Sequence, residues 1–539
     1  MMAFPTETTS SSISLQQNSF RLALRLAMVF AVVKLAIHIA TNIYTPHIGY
    51  RMLPDEYYYI LCGRLLAWGY VDHGPMVALQ ARMAESIFGL WVPGFRIFSA
   101  MAGAVRVGLT GLMTWTLGGR QAAQALAMMA VLAAPQYLRL DGILSMTSFE
   151  SMFWMGCLLT VMLMVQGASA RCWLIFGTLA GLGLLNKPSM GFFLMGLCAG
   201  LLITKERRIL WSRWTLVGIA VILLLVTPYI LWQAQHSWVT LEFLHNAALG
   251  RQRNGSLREV LSIGSMYFVL SQIRTLNPLS ALIWVAGLIW LLMGKGARQW
   301  RWIGWMYLIF ASIMFAMNAK DYYVDPVYPV LFAAGGVAWQ CIFALTQDWQ
   351  RIGRVAFPLM NGLLIITGLV LLPMSIPVLR PAPLSRYYIT ISKLKVYEGP
   401  IMLPGYYGDR MYQQQFVDEV ARIYNSLPAQ DRGKIGIFTP NYELSSVLNV
   451  LGAKDGLPIA ISGHNNYWIW GPHGYTGEVM IVVSEETPEE LRDVWSSVQI
   501  VGRTRHPYAA PNVGFDYIYL VRGRVRPYAA DWNNIKAFG

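Results

Sequence analysis

Long apolar stretches separated by short polar turns run through most of the chain up to residue 376. Segments free of Asp, Glu, Lys and Arg recur at the length that crosses a bilayer as a helix. This pattern predicts about eleven transmembrane helices, with about thirteen as the upper bound. They lie near residues 24–43, 95–118, 121–140, 148–168, 172–186, 188–204, 214–234, 278–294, 301–318, 325–344 and 355–376.

The basic residues between these segments predict the orientation of the helices. Lysine and arginine favour cytoplasmic loops, and they cluster at 205–208, 295–301 and 351–354. Arg21 and Arg25 place the N-terminus on the same side. Counting helices from there puts the loops 43–92 and 235–275 outside the cytoplasm. The semi-apolar stretch 257–276 is then an outside or re-entrant helix.

Beyond Pro377 the sequence becomes charged, rich in tyrosine and partly alternating. Its periodicity predicts helices at 417–427 and 488–497 and strands at 434–438, 478–484 and 515–521. The predicted fold is therefore mainly α. It consists of a disordered cytoplasmic segment 1–20, a transmembrane domain 21–379 and a small extracytoplasmic α/β domain 380–539.

Composition agrees with a membrane protein, because 55% of the 539 residues are hydrophobic and only 13% are charged. The net charge of +14 is spread over short clusters between apolar segments and forms no basic face. Nucleic acid is therefore excluded as a partner, and membrane lipids are expected.

The first outside loop concentrates acids and aromatics. Asp55 and Glu56 precede three tyrosines, and Asp72 and His73 follow a few residues later. Two carboxylates beside a lipid surface suit a general base and a ligand for a metal ion or a hydroxyl group. An acidic pair after proline is also a common helix start, so the pattern alone favours a helix N-terminus.

An ordered series of motifs resembles the bacterial members of glycosyltransferase family 39, relatives of protein O-mannosyltransferases and aminoarabinose transferases. The series covers most of the chain. It comprises Lys34, His38, 55–59, 69–73, 145–150, 184–187, 232–236, 320–323 and 465–472.

The resemblance implies a C-type fold and a membrane enzyme that moves a sugar from a polyprenyl phosphate to an acceptor hydroxyl. It further implies the plasma membrane of a bacterium, with the active site and terminal domain outside the cytoplasm. The acceptor is a glycolipid, a glycan or a protein. In this family an acidic residue of the first outside loop is associated with catalysis, and Asp55 holds that position. We expect Asp55 to be the base and the sugar to be transferred with inversion.

Glu56 and Glu150 are the other candidate catalytic residues. Glu56 is expected to orient the acceptor, and Glu150 is either a second active-site carboxylate or a charge that anchors its helix end. No cofactor is assigned; a divalent metal ion, if one binds, would be held by Glu56 or Asp72.

The departing phosphate needs a cation at the membrane boundary. Lys187 is the leading candidate, with a snorkelling loop lysine as the alternative. His73 and Arg274 are further candidates for the phosphate, although His73 is equally expected to be an interfacial histidine bonded to water.

Sugar or acceptor binding is assigned to aromatic and polar side chains of the outside segments. For those in 462–471, core packing is nearly as strong an interpretation. The residues are Tyr58, Tyr59, Asp72, His236, Tyr322, Tyr323, Asn466 and Trp468.

A second hypothesis is a transporter or lipid flippase, and Arg106, in the middle of the second span, is the one feature that favours it. Lys34, His38 and Arg106 lie within predicted helices, where charge is costly and is commonly functional. Pairing of Arg106 with Glu150 or Asp141 is the favoured interpretation. The concentration of acids in one outside loop argues against a transporter.

Overall fold

The computed structural model describes residues 7–252, 265–317, 319–393, 403, 405–504 and 517–539. Packing divides the chain into two compact units. The first unit comprises Met1–Thr41, Arg96–Pro228 and Gly255–Ile376, and the second comprises Asn42–Phe95, Tyr229–Asn254 and Pro377–Gly539. By packing, the first outside loop therefore belongs with the terminal domain, whereas the sequence-based division assigned it to the transmembrane domain.

The first unit is helical. Its α-helices are Glu7–Tyr44, Ile97–Thr116, Gln121–Leu132, Pro135–Asp141, Met146–Val165, Cys172–Asn186, Ser189–Leu202, Arg213–Gln235, Ser265–Thr275, Ala281–Met293, Arg301–Ala316, Tyr328–Phe343 and Gln347–Leu371. Short 3-10 turns occur at Lys205–Leu210, Pro278–Ser280, Lys295–Trp300, Asp321–Tyr323, Asp325–Val327 and Leu372–Met374. The first helix begins at Glu7, within the segment that the sequence predicts to be disordered.

Six helices of the described chain are long and apolar enough to cross a membrane. They are Gln17–Ile48, Ile97–Thr116, Met146–Val165, Arg213–Gln235, Asp325–Phe343 and Gln347–Met374. A pair bent by 108°, Phe268–Thr275 with Pro278–Met293, makes a seventh if it counts as one span. Residues 257–264 of the predicted outside or re-entrant helix lie outside the described residues.

Small residues let helices of the first unit approach closely. Gly196 and Gly200 lie one turn apart on Ser189–Leu202, and a Cβ on Gly200 would overlap the carbonyl oxygen of Trp302 on Arg301–Ala316. In lipid the hydrophobic effect does not drive helices together. Small residues four positions apart allow the close van der Waals packing that holds them instead. Aromatic packing adds to this core, with Trp154 stacked on Phe193 at 4.6 Å between ring centroids.

The buried charges of the first unit pair with one another. Lys34 Nζ lies 3.0 Å from Asp141 Oδ2, and Arg106 donates to the same carboxylate. The Arg106 guanidinium also lies 4.0 Å from the centroid of the Tyr137 ring. The predicted pairing of Arg106 with an acidic residue is confirmed, and Asp141 is the partner.

The second unit contains a five-stranded sheet. The strands are β1 (Gly436–Phe438), β2 (Ala460–Ile461), β3 (Val479–Ser484), β4 (Trp495–Arg503) and β5 (Tyr517–Arg524). Their order is β2-β1-β3-β5-β4, with β1 parallel to β2 and β3 and with β5 antiparallel to β3 and β4. The continuous apolar run of β3 is buried along its whole length, as expected for a central strand.

Helices and turns surround this sheet and complete the second unit. The α-helices are Pro54–Arg64, Pro75–Phe88, Val92–Phe95, Val239–Gln252, Pro381–Lys393, Gly405–Gly408, Gln413–Ser426, Ala429–Arg432, Tyr442–Leu451, Asn466–Trp470, Pro488–Arg492 and Tyr528–Asp531. The 3-10 turns are Thr45–Ile48, Gly452–Asp455 and Trp532–Ile535. A mainly α chain with a small α/β domain near its end is the fold class that the sequence predicts, and it is confirmed.

The sequence predicted five of these terminal elements and did not predict the others, β4 among them. The helix at 417–427 and the strands at 434–438 and 478–484 are confirmed by Gln413–Ser426, β1 and β3. The helix predicted at 488–497 is too long. The observed helix is Pro488–Arg492, and β4 begins at Trp495. Of the strand predicted at 515–521, residues 517–521 are described, and they lie in β5. The sequence missed β2, which has only two residues.

Candidate active site

The helix Pro54–Arg64 carries the acidic pair of the first outside loop in its first turn. Pro54 occupies the first helical position, where its missing N–H costs nothing. Glu56 is fully buried, and its Oε2 accepts a hydrogen bond from the Leu53 N–H at 2.8 Å. Glu56 therefore caps its own helix, which is the interpretation that the sequence pattern alone favoured for this residue.

Asp55 is half-buried and receives a hydrogen bond from the terminal domain. The Tyr442 hydroxyl donates to Asp55 Oδ1 at 2.7 Å. Tyr442 is the first residue of Tyr442–Leu451, a helix capped by the Asn441 side chain, which accepts from the Leu444 N–H at 2.9 Å. The capped start of this helix therefore fixes the position of Tyr442, and the Tyr442 hydroxyl holds one carboxylate oxygen of Asp55.

Two further carboxyl groups lie close enough to Asp55 for its charge to act on them. Burial, together with the charges of Asp55 and Asp409, raises the pKa of Glu443 to about 8. Burial and the charge of Asp55 raise the pKa of Asp409 to about 7. Near neutral pH Glu443 is therefore mostly protonated and Asp409 is protonated in part, which reduces the repulsion between these carboxyl groups and Asp55.

Sequence analysis missed Asp409, Tyr442 and Glu443. Tyr442 and Glu443 follow Asn441, and together they look like an ordinary helix start. The pair of tyrosines before Asp409 is the one local signal, since aromatics next to an acid also mark the first outside loop. Only tertiary packing shows that these segments meet.

Aromatic rings and Asp72 form the next layer of this acidic site. The Tyr58 hydroxyl donates to Asp72 Oδ1 at 2.9 Å, and its ring lies 4.6 Å from that of Tyr442. Burial holds the pKa of Tyr58 well above its ordinary value, so its hydroxyl stays a donor. The structure thus brings Asp55, Tyr58 and Asp72 together.

His73 is buried between tyrosine rings. Its ring lies 4.5 Å from that of Tyr70 and 5.4 Å from that of Tyr59. His73 Nδ1 lies 2.8 Å from the Gly74 carbonyl oxygen, so this nitrogen carries the hydrogen. Within the described residues Nε2 has no hydrogen-bond partner, and in a neutral ring it is an acceptor. Contact with a phosphate would require Nε2 to carry a proton.

The polar residues assigned to sugar binding in the terminal domain make structural contacts. Asn466 Oδ1 accepts from the Val71 N–H at 3.3 Å. The indole N–H of Trp468 donates to the Trp532 carbonyl at 3.1 Å, and that of Trp532 donates back to the Trp468 carbonyl at 2.8 Å. Asn466 is therefore tied to the first outside loop next to Asp72, and Trp468 packs against the cluster formed by Val71, Val239 and Phe538.

The contacts of His236 are made with Trp232. Its ring stacks on Trp232 with 4.0 Å between centroids, and its Nδ1 lies 2.8 Å from the Trp232 carbonyl oxygen. Trp232 in turn packs over Gly69, where a Cβ would overlap the indole ring. His236 thus helps to fix the segment beside the first outside loop.

In the first unit, Lys187 and Glu150 form a buried ion pair. Lys187 Nζ lies 2.8 Å from Glu150 Oε2, and the Ser189 hydroxyl donates to the other oxygen. Lys187 follows the last residue of Cys172–Asn186 in an extended conformation, and Glu150 is the fifth residue of Met146–Val165. The Glu150 carboxylate therefore fixes the position of Lys187, the residue predicted to bind the phosphate.

Two tyrosines cover the Lys187 ammonium group. Nζ lies 4.6 Å from the ring centroid of Tyr323 and 5.6 Å from that of Tyr322. The helix Ser265–Thr275, which carries Arg274, packs against the turn Asp321–Tyr323. The structure thus brings together Glu150, Lys187 and both tyrosines, with the helix of Arg274 beside them.

Neither group of residues forms a recognisable metal site. Across residues 7–252, 265–317, 319–393, 403, 405–504 and 517–539, no three His, Cys, Asp or Glu side chains are arranged to hold a metal ion. The carboxylates of Glu56 and Asp72 are engaged by Leu53 and Tyr58.

Comparison with known families agrees with the motifs. The family model described as dolichyl-phosphate-mannose-protein mannosyltransferase matches residues 72–232. The match contains Asp72, His73, Glu150 and Lys187, and it begins after Asp55. A search of curated protein sequences gave no significant match.

Solved structures with a similar fold include ArnT and the arabinofuranosyltransferase AftD. ArnT from Cupriavidus metallidurans bound to undecaprenyl phosphate is 16% identical, with a TM-score of 0.56 over 92% of this chain and 97% of that one. Its apo state is 17% identical, with a TM-score of 0.58 over the same shares. A mutant of the arabinofuranosyltransferase AftD from Mycobacteria is 16% identical, with a TM-score of 0.50 over 93% of this chain and 42% of that one. The resemblance and the C-type fold inferred from the sequence are confirmed.

Proposed function

We propose, from its fold and from the family pattern of residues 72–232, that this chain is a C-type membrane glycosyltransferase that transfers a sugar from a polyprenyl phosphate to an acceptor hydroxyl. The reaction takes place on the extracytoplasmic face of a bacterial plasma membrane and inverts the anomeric centre. The acceptor is a glycolipid, a glycan or a protein.

The observation that carries this proposal is the hydrogen-bonded Asp55 carboxylate. Tyr442 holds one of its oxygens, and the side chain of Asp55 is partly exposed. In the proposed step, Asp55 accepts the proton of the acceptor hydroxyl while the acceptor oxygen forms a bond to the anomeric carbon. The bond between that carbon and the phosphate oxygen breaks, and the polyprenyl phosphate leaves with the electron pair.

Lys187 is proposed to neutralise the leaving phosphate. Its ammonium group has three protons, of which Glu150 takes one, so donors remain for an anion. Glu150 and Ser189 position this lysine, which gives Glu150 a positioning role in place of the second catalytic carboxylate considered from sequence. The undecaprenyl phosphate bound by ArnT of the same fold supports a donor of this class.

Arg106 was the one feature that favoured a transporter or flippase. Its ion pair with Asp141, shared with Lys34, accounts for the buried charges without a transported ion. Asp141 pairs with both cations, and all three side chains are buried inside the protein, so none of these charges is exposed to lipid. The structure thus adds nothing in favour of transport.

The proposal is tested in the strain of origin by comparing sugars attached to envelope lipids, glycans and proteins. A deletion strain is complemented with wild type, Asp55→Asn or a matched control, Asp418→Asn, an exposed acid of the terminal domain. Mass spectrometry is expected to show one glycosylated species that wild type and Asp418→Asn restore and Asp55→Asn does not. Restoration by Asp55→Asn at normal expression would overturn the assignment.

A further inference from the structure

A cleft of about 570 Å³ lies between the start of the first span and the end of the second. The first span contributes Ser19, Leu22 and Ala23, and the second contributes Trp115 and the loop that follows it. Because Gln17–Ile48 begins here and Ile97–Thr116 ends here, the cleft lies at the level of one membrane boundary. The positive-inside pattern predicts that this boundary is cytoplasmic and that Lys187 lies at the opposite one.

Hydrogen bonds fix the walls of the cleft. The indole N–H of Trp115 donates to Ser19 Oγ at 3.1 Å, which joins the two spans. In the loop, Gln340 accepts from the Arg120 N–H at 2.7 Å and donates to the Gly118 carbonyl at 3.2 Å. Gly118 has a φ of +93°, which glycine adopts without strain. The cleft is therefore preformed.

The polar side of the cleft is positive. The Arg120 side chain is exposed and, within the described part of the chain, forms no ion pair. Gln121 and Ala122 begin the helix Gln121–Leu132, and the first amides of a helix have no partner within it. Arginine beside a helix N-terminus favours a phosphate group.

The other side of the cleft is apolar and continues into the membrane. Leu22 lines the cleft with 47% of its surface exposed, and Val29, two turns further along the same face, is 58% exposed. A cation at headgroup level above an exposed apolar strip fits a molecule with an anionic head and a hydrocarbon chain.

We propose that this cleft binds an anionic phospholipid of the surrounding leaflet, with the headgroup phosphate at Arg120 and an acyl chain along Leu22 and Val29. Basic pockets between transmembrane helices on the cytoplasmic side recognise lipids of this class. The site is separate from the donor-phosphate site at Lys187, and its test does not depend on sugar transfer.

The test uses the purified full-length protein in detergent, with native mass spectrometry of bound phosphatidylglycerol and of phosphatidylcholine with the same acyl chains. Arg120→Gln removes the cation. Ala122→Glu places a negative charge in the cleft at a helix position where an acid is favourable, so the helix itself is not weakened. Arg354→Gln is the matched control, since it removes an exposed arginine at the start of another span.

Wild type and Arg354→Gln are expected to retain phosphatidylglycerol in preference to phosphatidylcholine. Arg120→Gln should bind phosphatidylglycerol about fivefold more weakly, the effect of one arginine near an anionic lipid, and Ala122→Glu should bind it more weakly still. Equal retention of both lipids by wild type, equal retention of phosphatidylglycerol by all variants, or an equal loss in Arg354→Gln would overturn the proposal. Displacement of phosphatidylglycerol by inorganic phosphate alone would also overturn it, because the site would then be one for free phosphate.

Discussion

Asp55 and its hydrogen-bond donor Tyr442 are 387 positions apart in the chain. Local sequence identified the acid, because it stands in a loop of acids and aromatics, but the tyrosine belongs to a helix start that looks ordinary. The same pattern could not separate Asp55 from Glu56. The structure does, since Glu56 is buried on the Leu53 amide and Asp55 is the one that faces Tyr442.

Tyr442→Phe is expected to lower kcat about 10-fold to 100-fold, since a hydrogen bond to a charged group contributes about 1.5–3 kcal/mol. KM for the donor should change little, because the tyrosine positions the base. Assays of the purified enzyme with its identified donor and acceptor measure both constants. Tyr424→Phe, which loses a hydroxyl in the same domain at an exposed position, is the control and should behave as wild type. An unchanged kcat in Tyr442→Phe would exclude the positioning role.

The raised pKa values of Glu443 and Asp409 predict that the stability of the protein depends on pH. The pKa of Glu443 rises from 4.5 to about 8 on folding and that of Asp409 from 3.8 to about 7. Each folded carboxyl holds its proton more tightly than the unfolded one, so this stabilisation is complete below the unfolded values and is lost as pH rises through the folded ones.

The unfolding temperature in detergent should therefore fall between about pH 5 and about pH 8. Glu443→Gln keeps a neutral side chain at all pH values, and its unfolding temperature should depend less on pH. Glu489→Gln changes an exposed acid and is the control. An identical pH dependence in wild type and Glu443→Gln would show that the Glu443 carboxyl is not held protonated.

The ion pair between Lys187 and Glu150 predicts that single variants are less stable than the double variant. Removing one partner of a buried ion pair leaves an uncompensated charge and costs about 3–5 kcal/mol, so Lys187→Met and Glu150→Gln should each unfold at a lower temperature. The double variant removes both charges and should regain most of the stability while still failing to transfer sugar. Thermal unfolding and the transfer assay together check this. A stable and active double variant would show that the pair has no role in the reaction.

At the level of elements, apolar periodicity identified the long helices and the strands β1, β3 and β5, because each carries its signal within its own sequence. It did not show where the helices pack, and it missed the two-residue β2, whose place in the sheet depends on pairing with β1. The boundary between Pro488–Arg492 and β4 also needed structure, since Trp495 is set by packing against Tyr528.

Glycines on Ser189–Leu202 test the helix packing. A Cβ on Gly200 would overlap the Trp302 carbonyl, whereas the nearest atom to a Cβ on Gly191 is 4.0 Å away. Gly200→Ala should destabilise the protein by about 1–3 kcal/mol through overpacking. Gly191→Ala should be neutral or stabilising by up to about 1 kcal/mol, because alanine favours the helix. Unfolding in detergent measures both; equal stabilities of the two variants would contradict the described contact.

At the scale of the whole molecule, the chain passes between its two units more than once. The first outside loop and residues 229–254 pack with the terminal domain, although long stretches of the first unit separate them in sequence. Hydropathy separates membrane from non-membrane segments but carries no information on which outside segments fold together. For this reason the sequence predicted Asp55 and Lys187 as site residues and missed Asp409, Tyr442 and Glu443.

The central claim is that Asp55 is the base of a polyprenyl-phosphate-dependent sugar transfer. Its most direct test is single-turnover transfer by purified Asp55→Asn, once the glycosylated species of the complemented strain has identified donor and acceptor. We expect this variant to fold, to bind the polyprenyl phosphate as wild type does and to form no product. Product formation at the wild-type rate would contradict it.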